Sequence, residues 1–465
     1  VIYLLFSYSN IKSFDYPFHV SECGCEFISY FLQKNVQPPP NYYHYLVFPL
    51  KLVACWEWFE KPDKDYKIII NYVYFSVMLV QLNMLMSLVV HIYLKWTGFM
   101  TSLVLMSESL PIIITIFIVA YFATYQHDLY ELVEYVNKNF KWHAASGVTN
   151  MNMQKSYECA KKFAYFYTGC LTFTVTAYTV IPIVSYLTNN AALPWMYEEV
   201  NHTFFIILIL VRHCMVQAII GVAVGQCGVF FVASSILMCG QLDLLCCSLR
   251  NIRYTALLKN GIRHDTLITK LADIRGDEEH RYSFNESIVQ KPRFHYNKNY
   301  VNIYDSTFDD DTCTSIKDCV RIYQVIKEFK VMFEKFVSPV LVVRILQYTV
   351  YLCVLLYTAT VKFDLAMAEY LFAVALDMFF HCYFGNQIII QSDRVSEAAY
   401  QSAWITMGVR PRRMLLNVLL SSRRSLVIRA GNYIPIDLQA FIAILKTSFS
   451  YYTLLVNVND KKGYH

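Results

Sequence analysis

The chain has 465 residues, of which 56% are hydrophobic and 16% are charged, and its mean hydropathy is +0.34. Soluble globular proteins carry about 25% charged residues, so this composition argues against a water-soluble enzyme, and an aromatic content of 16% argues against a disordered chain. The formal net charge of +5 gives no indication of nucleic-acid binding. A membrane protein is the class that fits best.

A transmembrane helix needs about 20 mostly apolar residues. Seven segments of the chain meet this requirement, and we therefore predict an all-α membrane protein with seven transmembrane helices. In chain order the segments are Ile68–Val90, Leu103–Phe122, Phe163–Leu187, Phe204–Leu237, Val340–Val361, Leu365–Gln391 and Tyr433–Val458.

Several of these helices are expected to continue beyond the bilayer. The fourth segment is longer than a bilayer core of about 30 Å requires, so we predict that it extends through Gln241–Leu245 toward Arg250. The sixth is expected to run on through Ser396–Trp404, and Ile322–Phe336 shows helical apolar spacing before the fifth. Together with Met414–Leu420, these pieces predict a helical cytosolic subdomain.

The basic residues predict the orientation. Lys and Arg number six in residues 1–67, five in 123–162, fifteen in 238–339 and seven in 392–432, whereas the loops between these regions hold almost none. Since basic residues concentrate on the cytosolic side, we predict a cytosolic N-terminus and an extracellular C-terminus. The resulting divisions are a cytosolic N-terminal segment (1–67), helices one to four (68–237), a long cytosolic loop with helical ends and a flexible middle (238–339), helices five and six (340–391), a cytosolic helical segment (392–432), helix seven (433–458) and an extracellular tail (459–465).

Three smaller features follow from this topology. Residues Val1–Tyr8 are apolar but lack a basic flank and a cleavage site, so no secretory signal peptide is expected there. Asn201 begins an Asn-His-Thr sequon in a loop assigned to the outside, which makes it a candidate glycosylation site. The polar stretch 272–312, with its acidic run Asp309–Asp311, is expected to be a flexible loop rather than a calcium site.

Motifs for catalysis are missing from the sequence, which lacks a phosphate-binding loop, a nucleophile elbow and an HExxH motif. We therefore expect no enzymatic activity, no cofactor and no metal site. Ionisable residues inside predicted spans are candidates for a functional role, because placing a charged side chain in lipid costs free energy. They are Arg212, Asp377 and Lys446, and His381 shares a helix face with Asp377. The alternative is that these groups reach the surface or pair with polar groups on other helices.

The C-terminal third carries a specific series of motifs. They are Tyr383-Phe384-Gly385-Asn386-Gln387, Ser392, Ala398-Ala399-Tyr400, Ser402, Trp404, Met414-Leu415-Leu416, Arg423-Arg424, Ala430-Gly431-Asn432-Tyr433-Ile434-Pro435 and Phe441 to Leu455. Looser matches upstream include Phe48-Pro49-Leu50-Lys51, Gln241–Leu245 and Phe336–Pro339. This pattern resembles the insect odorant receptor family over about residues 48–458.

The resemblance implies a ligand-gated ion channel subunit with a cytosolic N-terminus. The closing segment Ser448–Leu455 is similar to that of the ligand-binding subunits rather than the shared coreceptor. By resemblance, such a subunit binds a volatile odorant and assembles with the olfactory coreceptor as a heterotetramer in the plasma membrane of an olfactory neuron's dendrite. One alternative is a gustatory-type chemoreceptor channel, although the last segment lacks that group's Gln-Phe pair. The other is a seven-helix receptor that signals through cytosolic partners.

The same resemblance implies that the last helix lines the ion path. Leu454 and Val458 lie four residues apart, hence on one helix face, and polar Asn457 is adjacent. A ring of such apolar side chains can close a pore by dewetting. Leu454, Asn457 and Val458 are therefore candidate gate residues, with lipid-facing positions as the alternative.

The odorant pocket is expected, by resemblance, in the outer halves of the second, third, fourth and sixth spans. Volatile ligands offer mostly apolar surface, which suits a hydrophobic and aromatic cavity with few polar groups. The candidates are Thr176, Tyr178, Phe205, Ile209, Met367 and Tyr370. The alternative for each is a packing or lipid-facing position.

Overall fold

The computed structural model describes residue 39 and residues 41–56, 64–94, 99–144, 152–189, 203–262, 304–361 and 365–462. From Pro40 onward the described residues belong to one compact unit. Its helices are α1 (His44–Leu52), α2 (Lys64–Leu94), α3 (Phe99–Thr124), α4 (Gln126–Asn139), α5 (Gln154–Asn189), α6 (Thr203–Arg250), α7 (Ile252–Lys259), α8 (Asp309–Val361), α9 (Leu365–Tyr400), α10 (Val409–Ser422) and α11 (Leu438–Lys462). Short 3-10 turns at Ser306–Phe308 and Trp404–Thr406 precede α8 and α10.

The described chain is almost entirely helical, as the apolar segments predicted. Within the residues that the structure describes, four stretches are long and apolar enough to cross a membrane, namely Tyr72–Leu94, Phe204–Arg250, Ser306–Thr358 and Leu371–Thr406. Helices α3 and α4 meet at a bend of 68° and would add a fifth as one broken span. Each of the seven predicted segments overlaps a helix of at least 25 residues. The count of seven spans and the orientation of the termini stay predictions.

The ends of three helices refine the sequence-based boundaries. Helix α6 continues to Arg250, as its excess length predicted. Helix α9 ends at Tyr400, before the expected Trp404, which begins a 3-10 turn instead. The last helix begins at Leu438 rather than Tyr433.

A short hairpin accounts for the later start of α11. Strand β1 (Arg429–Ala430) pairs antiparallel with β2 (Ile434–Pro435), and Ala430 lies opposite Ile434. Gly431 and Asn432 form the turn with φ values of +58° and +65°, a conformation that glycine and asparagine adopt more readily than other residues. Pro435 therefore belongs to a strand pair, and Gly431 and Asn432 belong to the turn that joins the two strands. This hairpin leads directly into the last helix.

Helix α6 forms the centre of the unit. Every residue from Gly225 to Leu242 is buried, and α6 packs against α1, α2, α3, α5, α8 and α9. By contrast, its first turns expose the large apolar side chains of Phe204, Ile207, Leu208 and Val211. A helix that is apolar all round is stable in a protein core or in lipid. The buried part of α6 meets the first condition, and its exposed first turns suit the second.

Glycines allow α5 to approach α6 closely. A Cβ added at Gly221 would lie 2.6 Å from Val175 Cγ2, and one at Gly225 would lie 1.9 Å from Leu171 Cδ1. Small residues spaced four apart permit such close helix packing in membranes. Near this contact, the Gln226 side chain donates to the Thr168 hydroxyl at 2.9 Å.

The acidic run Asp309–Asp311 begins α8 instead of lying in a flexible loop, which corrects the expectation for residues 304–312. Carboxylates at a helix N-terminus are favourable because they face the positive end of the helix dipole. Each also has a basic or amide partner. Asp309 contacts Arg253 at 3.0 Å, Asp310 contacts Arg410 at 3.2 Å, and Asp311 accepts from Asn260 at 2.6 Å.

Arg253 and Asp309 join three elements in the region that the basic residues assign to the cytosol. The Arg253 side chain is fully buried and donates also to the Thr312 hydroxyl at 2.9 Å and the Asp305 carbonyl at 3.0 Å. Asp309 accepts in addition from the Gly408 backbone N–H at 3.2 Å, just before α10. Burial lowers the pKa of the Arg253 guanidinium, and the Asp309 carboxylate opposes this effect.

We predict that Arg253→Ala destabilises the protein by on the order of 3 kcal/mol, because it leaves Asp309 without its cationic partner. Thermal unfolding of the full chain in detergent, followed by fluorescence-detected size-exclusion chromatography, would measure the effect. Lys138→Ala is the matched control because it breaks the exposed Lys138–Glu134 pair, which contributes little. Equal melting temperatures for both variants would contradict the role given to Arg253.

We also predict that Gly385→Ala destabilises the junction between α9 and α11. A Cβ at Gly385 would lie 2.1 Å from the backbone carbonyl oxygen of Ile436, so the chain entering α11 would have to move. Overpacking of this kind costs about 1–3 kcal/mol. Gly169→Ala is the control, since a Cβ there meets no atom within 4 Å. The same melting assay should show a lower transition for the Gly385 variant alone.

Candidate functional site

The predicted pocket residues lie on three helices, and three of them have described side chains. Thr176 is exposed on α5 and donates its hydroxyl to the Thr172 carbonyl at 2.7 Å. Phe205, 51% exposed on α6, contacts Phe204 edge-on, and Ile209 is half-buried.

The remaining pocket candidates lie outside the described side chains. Tyr178 belongs to α5, and Met367 and Tyr370 belong to the first turns of α9. The glycosylation candidate Asn201 lies outside the described residues. The pocket and the glycosylation site therefore stay predictions.

The candidate gate lies on a helix that is attached along one face. Ser448 of α11 donates to the Thr349 carbonyl of α8 at 3.3 Å, and Ile444 is buried beside it. Leu454 is 60% exposed and Asn457 is exposed, while the side chain of Val458 lies outside the described set. In the single chain this exposed face is open to a neighbouring subunit, a pore or lipid, so the gate stays a prediction.

A cluster of polar side chains is buried between α5, α8 and α9. At its centre, Asp377 accepts from the Tyr167 hydroxyl at 2.6 Å and from the Tyr348 hydroxyl at 2.8 Å. Arg344 forms an ion pair with Oδ2 of the carboxylate, the oxygen that also accepts from Tyr348. We call the following residues the Asp377 cluster: Tyr167, Arg344, Gln347, Tyr348, Asp377 and His381.

The remaining members orient the charged pair. Arg344 donates to the Gln347 side chain at 2.9 Å, and the His381 ring nitrogen Nδ1 lies 2.8 Å from the Asp377 carbonyl oxygen. The Arg344 side chain is 2% exposed and that of Asp377 14%. A buried ion pair is tolerated when hydrogen bonds satisfy both partners, and the two tyrosines supply those bonds to the carboxylate.

Helical spacing and one glycine explain why these groups meet. Gln347 and Tyr348 follow Arg344 by three and four residues on α8, and His381 follows Asp377 by four on α9, so each set shares a helix face. Gly228 of α6 faces the cluster, and a Cβ there would lie 3.2 Å from the Asp377 carboxylate. The glycine thus leaves room for the pair at the point where three helices converge.

Two small cavities border the Asp377 cluster. One, of about 10 Å³, lies among the aromatic rings of α3, α6 and α8 and is also lined by Arg344 and His381. The second, of about 10 Å³, is lined by Arg344, Tyr348 and His381 together with Ile436, Ala440 and Ile444 at the start of α11. Each offers space for about one water molecule. The second cavity brings the polar cluster next to the last helix.

Sequence reasoning identified part of this cluster. Asp377 was a candidate, and it pairs with a polar group on another helix, as the alternative interpretation held. Arg344 was missed as the partner, although an arginine inside an apolar segment was a usable signal. The other two candidates lie elsewhere: Arg212 donates to Asn83 of α2 at 3.0 Å, and Lys446 is exposed on α11.

Comparison with known proteins identifies the family. A profile described as 7tm odorant receptor matches residues 96–449. Odorant receptor 83a of Drosophila melanogaster is 21% identical over 75% of this chain and 78% of its own length. Odorant receptor Or2 of Anopheles gambiae is 27% identical over 31% of this chain and 39% of its own.

Solved structures agree in fold. The insect olfactory receptor OR5 from Machilis hrabei, in complex with eugenol, superposes with a TM-score of 0.66 at 13% identity, over 89% of this chain and 97% of that one. A second structure of the same receptor gives a TM-score of 0.65 at 12% identity. The matched family consists of receptors and ion channels rather than enzymes. With a profile match across most of its length, this chain belongs to the insect odorant receptor family.

Proposed function

We propose that this chain is a ligand-binding odorant receptor subunit that forms, with the olfactory coreceptor, an odorant-gated non-selective cation channel. It would reside as a multi-pass protein in the plasma membrane of olfactory neuron dendrites. The observation that carries the proposal is the family match over residues 96–449. The complex of a structurally similar receptor with eugenol supports a small organic ligand.

The geometry of α11 supports the channel part of the proposal. The helix packs against α8 and α9, while the large apolar side chains of Ile442, Phe449, Tyr451 and Leu454 are exposed. Exposed apolar surface of this extent is stable in lipid or against another subunit. A ring of such helices around an axis would bring one apolar face of each to a pore.

We expect odorant-evoked inward current when this chain and the coreceptor are expressed together in a heterologous cell. A panel of volatiles would be applied under whole-cell recording with G-protein signalling blocked, and cells with the coreceptor alone would serve as the control. A receptor that signals through cytosolic partners would instead lose its response under the block. Silence across the panel, with both subunits at the surface, would argue against a channel subunit.

We expect Leu454→Ser to raise the ligand-free current, because a polar side chain makes a narrow apolar constriction easier to hydrate. Leu445→Ser is the matched control: Leu445 is also exposed on α11 but lies nine residues away, about 180° around the helix. Resting and evoked currents would be compared at equal surface levels. An unchanged resting current for Leu454→Ser would show that this side chain does not close the pore.

For the pocket, Tyr178→Ala and Tyr370→Ala are each expected to shift the odorant dose–response curve by about tenfold or more, as the loss of a buried aromatic contact predicts. Phe173→Ala is the control because Phe173 is largely exposed on α5. If both tyrosine variants keep the wild-type curve, the pocket lies elsewhere.

A further inference from the structure

We propose that the Asp377 cluster is a positioning element for gating, which holds α8 and α9 in the arrangement that keeps α11 in its resting position. This inference rests on the proposed channel function. Tyr167, Arg344, Tyr348 and Asp377 would act through the helices that carry them and would touch neither the odorant nor the permeating ion.

The Asp377 cluster joins three helices at one point. The Asp377 carboxylate on α9 receives donors from Tyr167 on α5 and from Arg344 and Tyr348 on α8. These contacts are charged or charge-assisted and shielded from water, and such contacts are the strongest class of hydrogen bond. A relative shift of α8 and α9 therefore has to stretch or break them.

The Asp377 cluster also lies against the last helix, α11. Arg344, Tyr348 and His381 share the second cavity with Ile436, Ala440 and Ile444. Next to it, Gly385 of α9 approaches the Ile436 carbonyl so closely that a Cβ would lie 2.1 Å from that oxygen. One turn along α11, Ser448 donates to the Thr349 carbonyl of α8. The start of α11 is thus held by the two helices that the ion pair joins.

The surroundings of Arg344 leave room for it to rearrange. Its side chain lines both small cavities. Its Nε is buried and makes no hydrogen bond within the described part of the chain. A guanidinium with an unused donor beside free volume can change its contacts, which is what a two-state element needs.

The Asp377 cluster connects the helices of the predicted pocket with the helix of the predicted gate. The pocket candidates lie on α5, α6 and α9, and α5 and α9 are the helices that meet α8 at Asp377. A ligand that binds better to a shifted arrangement of these helices stabilises that arrangement. The proposed resting state is the register between α8 and α9 that the ion pair and the tyrosine hydrogen bonds hold.

The test is the double variant Arg344→Gln/Asp377→Asn, expressed with the coreceptor. It removes both charges and so avoids the isolated buried charge that a single substitution would leave, while the amides can still bond the two tyrosines. We expect the ligand-free fraction of the maximal current to rise, and the half-maximal odorant concentration to fall, by about fivefold or more, the usual lower range of coupling between sites. Both quantities are normalised to the surface level of the assembled complex.

Two further variants complete the design. Tyr348→Phe keeps the ion pair and removes one hydrogen bond, so it should shift both quantities in the same direction by a smaller factor. If the double variant does not reach the surface, Tyr348→Phe decides the question by the same criteria. Glu397→Gln is the control. Glu397 lies on α9, as Asp377 does, but it is exposed and accepts a hydrogen bond from Gln401 instead. It should behave as the wild type.

The outcomes separate this inference from the channel proposal. A wild-type complex that reaches the surface and never responds to odorant contradicts the channel function itself. A responding wild type, with Arg344→Gln/Asp377→Asn and Tyr348→Phe both within twofold of it, overturns the positioning role alone. A lower ligand-free current with a higher half-maximal concentration also overturns it, because the pair would then favour the open state.

Discussion

The rest of the fold is arranged around α6, which is completely buried from Gly225 to Leu242. Its neighbours therefore have to match its shape on every side. Gly221 and Gly225 admit α5, and Gly228 admits the polar groups of α9. The first turns of α6 expose large apolar side chains, so the same helix is a core element at one end and a surface element at the other.

The Asp377 cluster is the part of this core that is costly in free energy. Burying an arginine and an aspartate away from water gains little net stability even when they pair, and apolar side chains of similar volume would often serve the fold as well. The chain nevertheless provides two tyrosines that donate to the carboxylate and a glutamine that accepts from the guanidinium. What the pair adds is directionality, because these contacts require a defined register between α8 and α9, which apolar packing does not.

Helix α11 is attached to the rest of the described chain along one face. It packs against α8 and α9, is preceded by a hairpin whose Arg429 N–H bonds Glu334 of α8 at 2.9 Å, and leaves a row of large apolar side chains exposed. A helix held along one face can shift with less loss of packing than one surrounded by neighbours. This attachment is consistent with the gating movement that we propose for α11.

Hydrophobic runs and motifs are local properties of the chain, so the amino-acid sequence predicted the helical class, the approximate position of each long apolar helix and the family. It also identified Asp377 as an ionisable candidate inside a span, but not its partner Arg344, which lies 33 residues away on another helix. That pairing, the partners of Asp309–Asp311 and the start of α11 at Leu438 after a hairpin became visible in the folded structure. Each of these depends on the register between elements distant in sequence, which is set by packing in three dimensions and leaves no periodic signal in the chain.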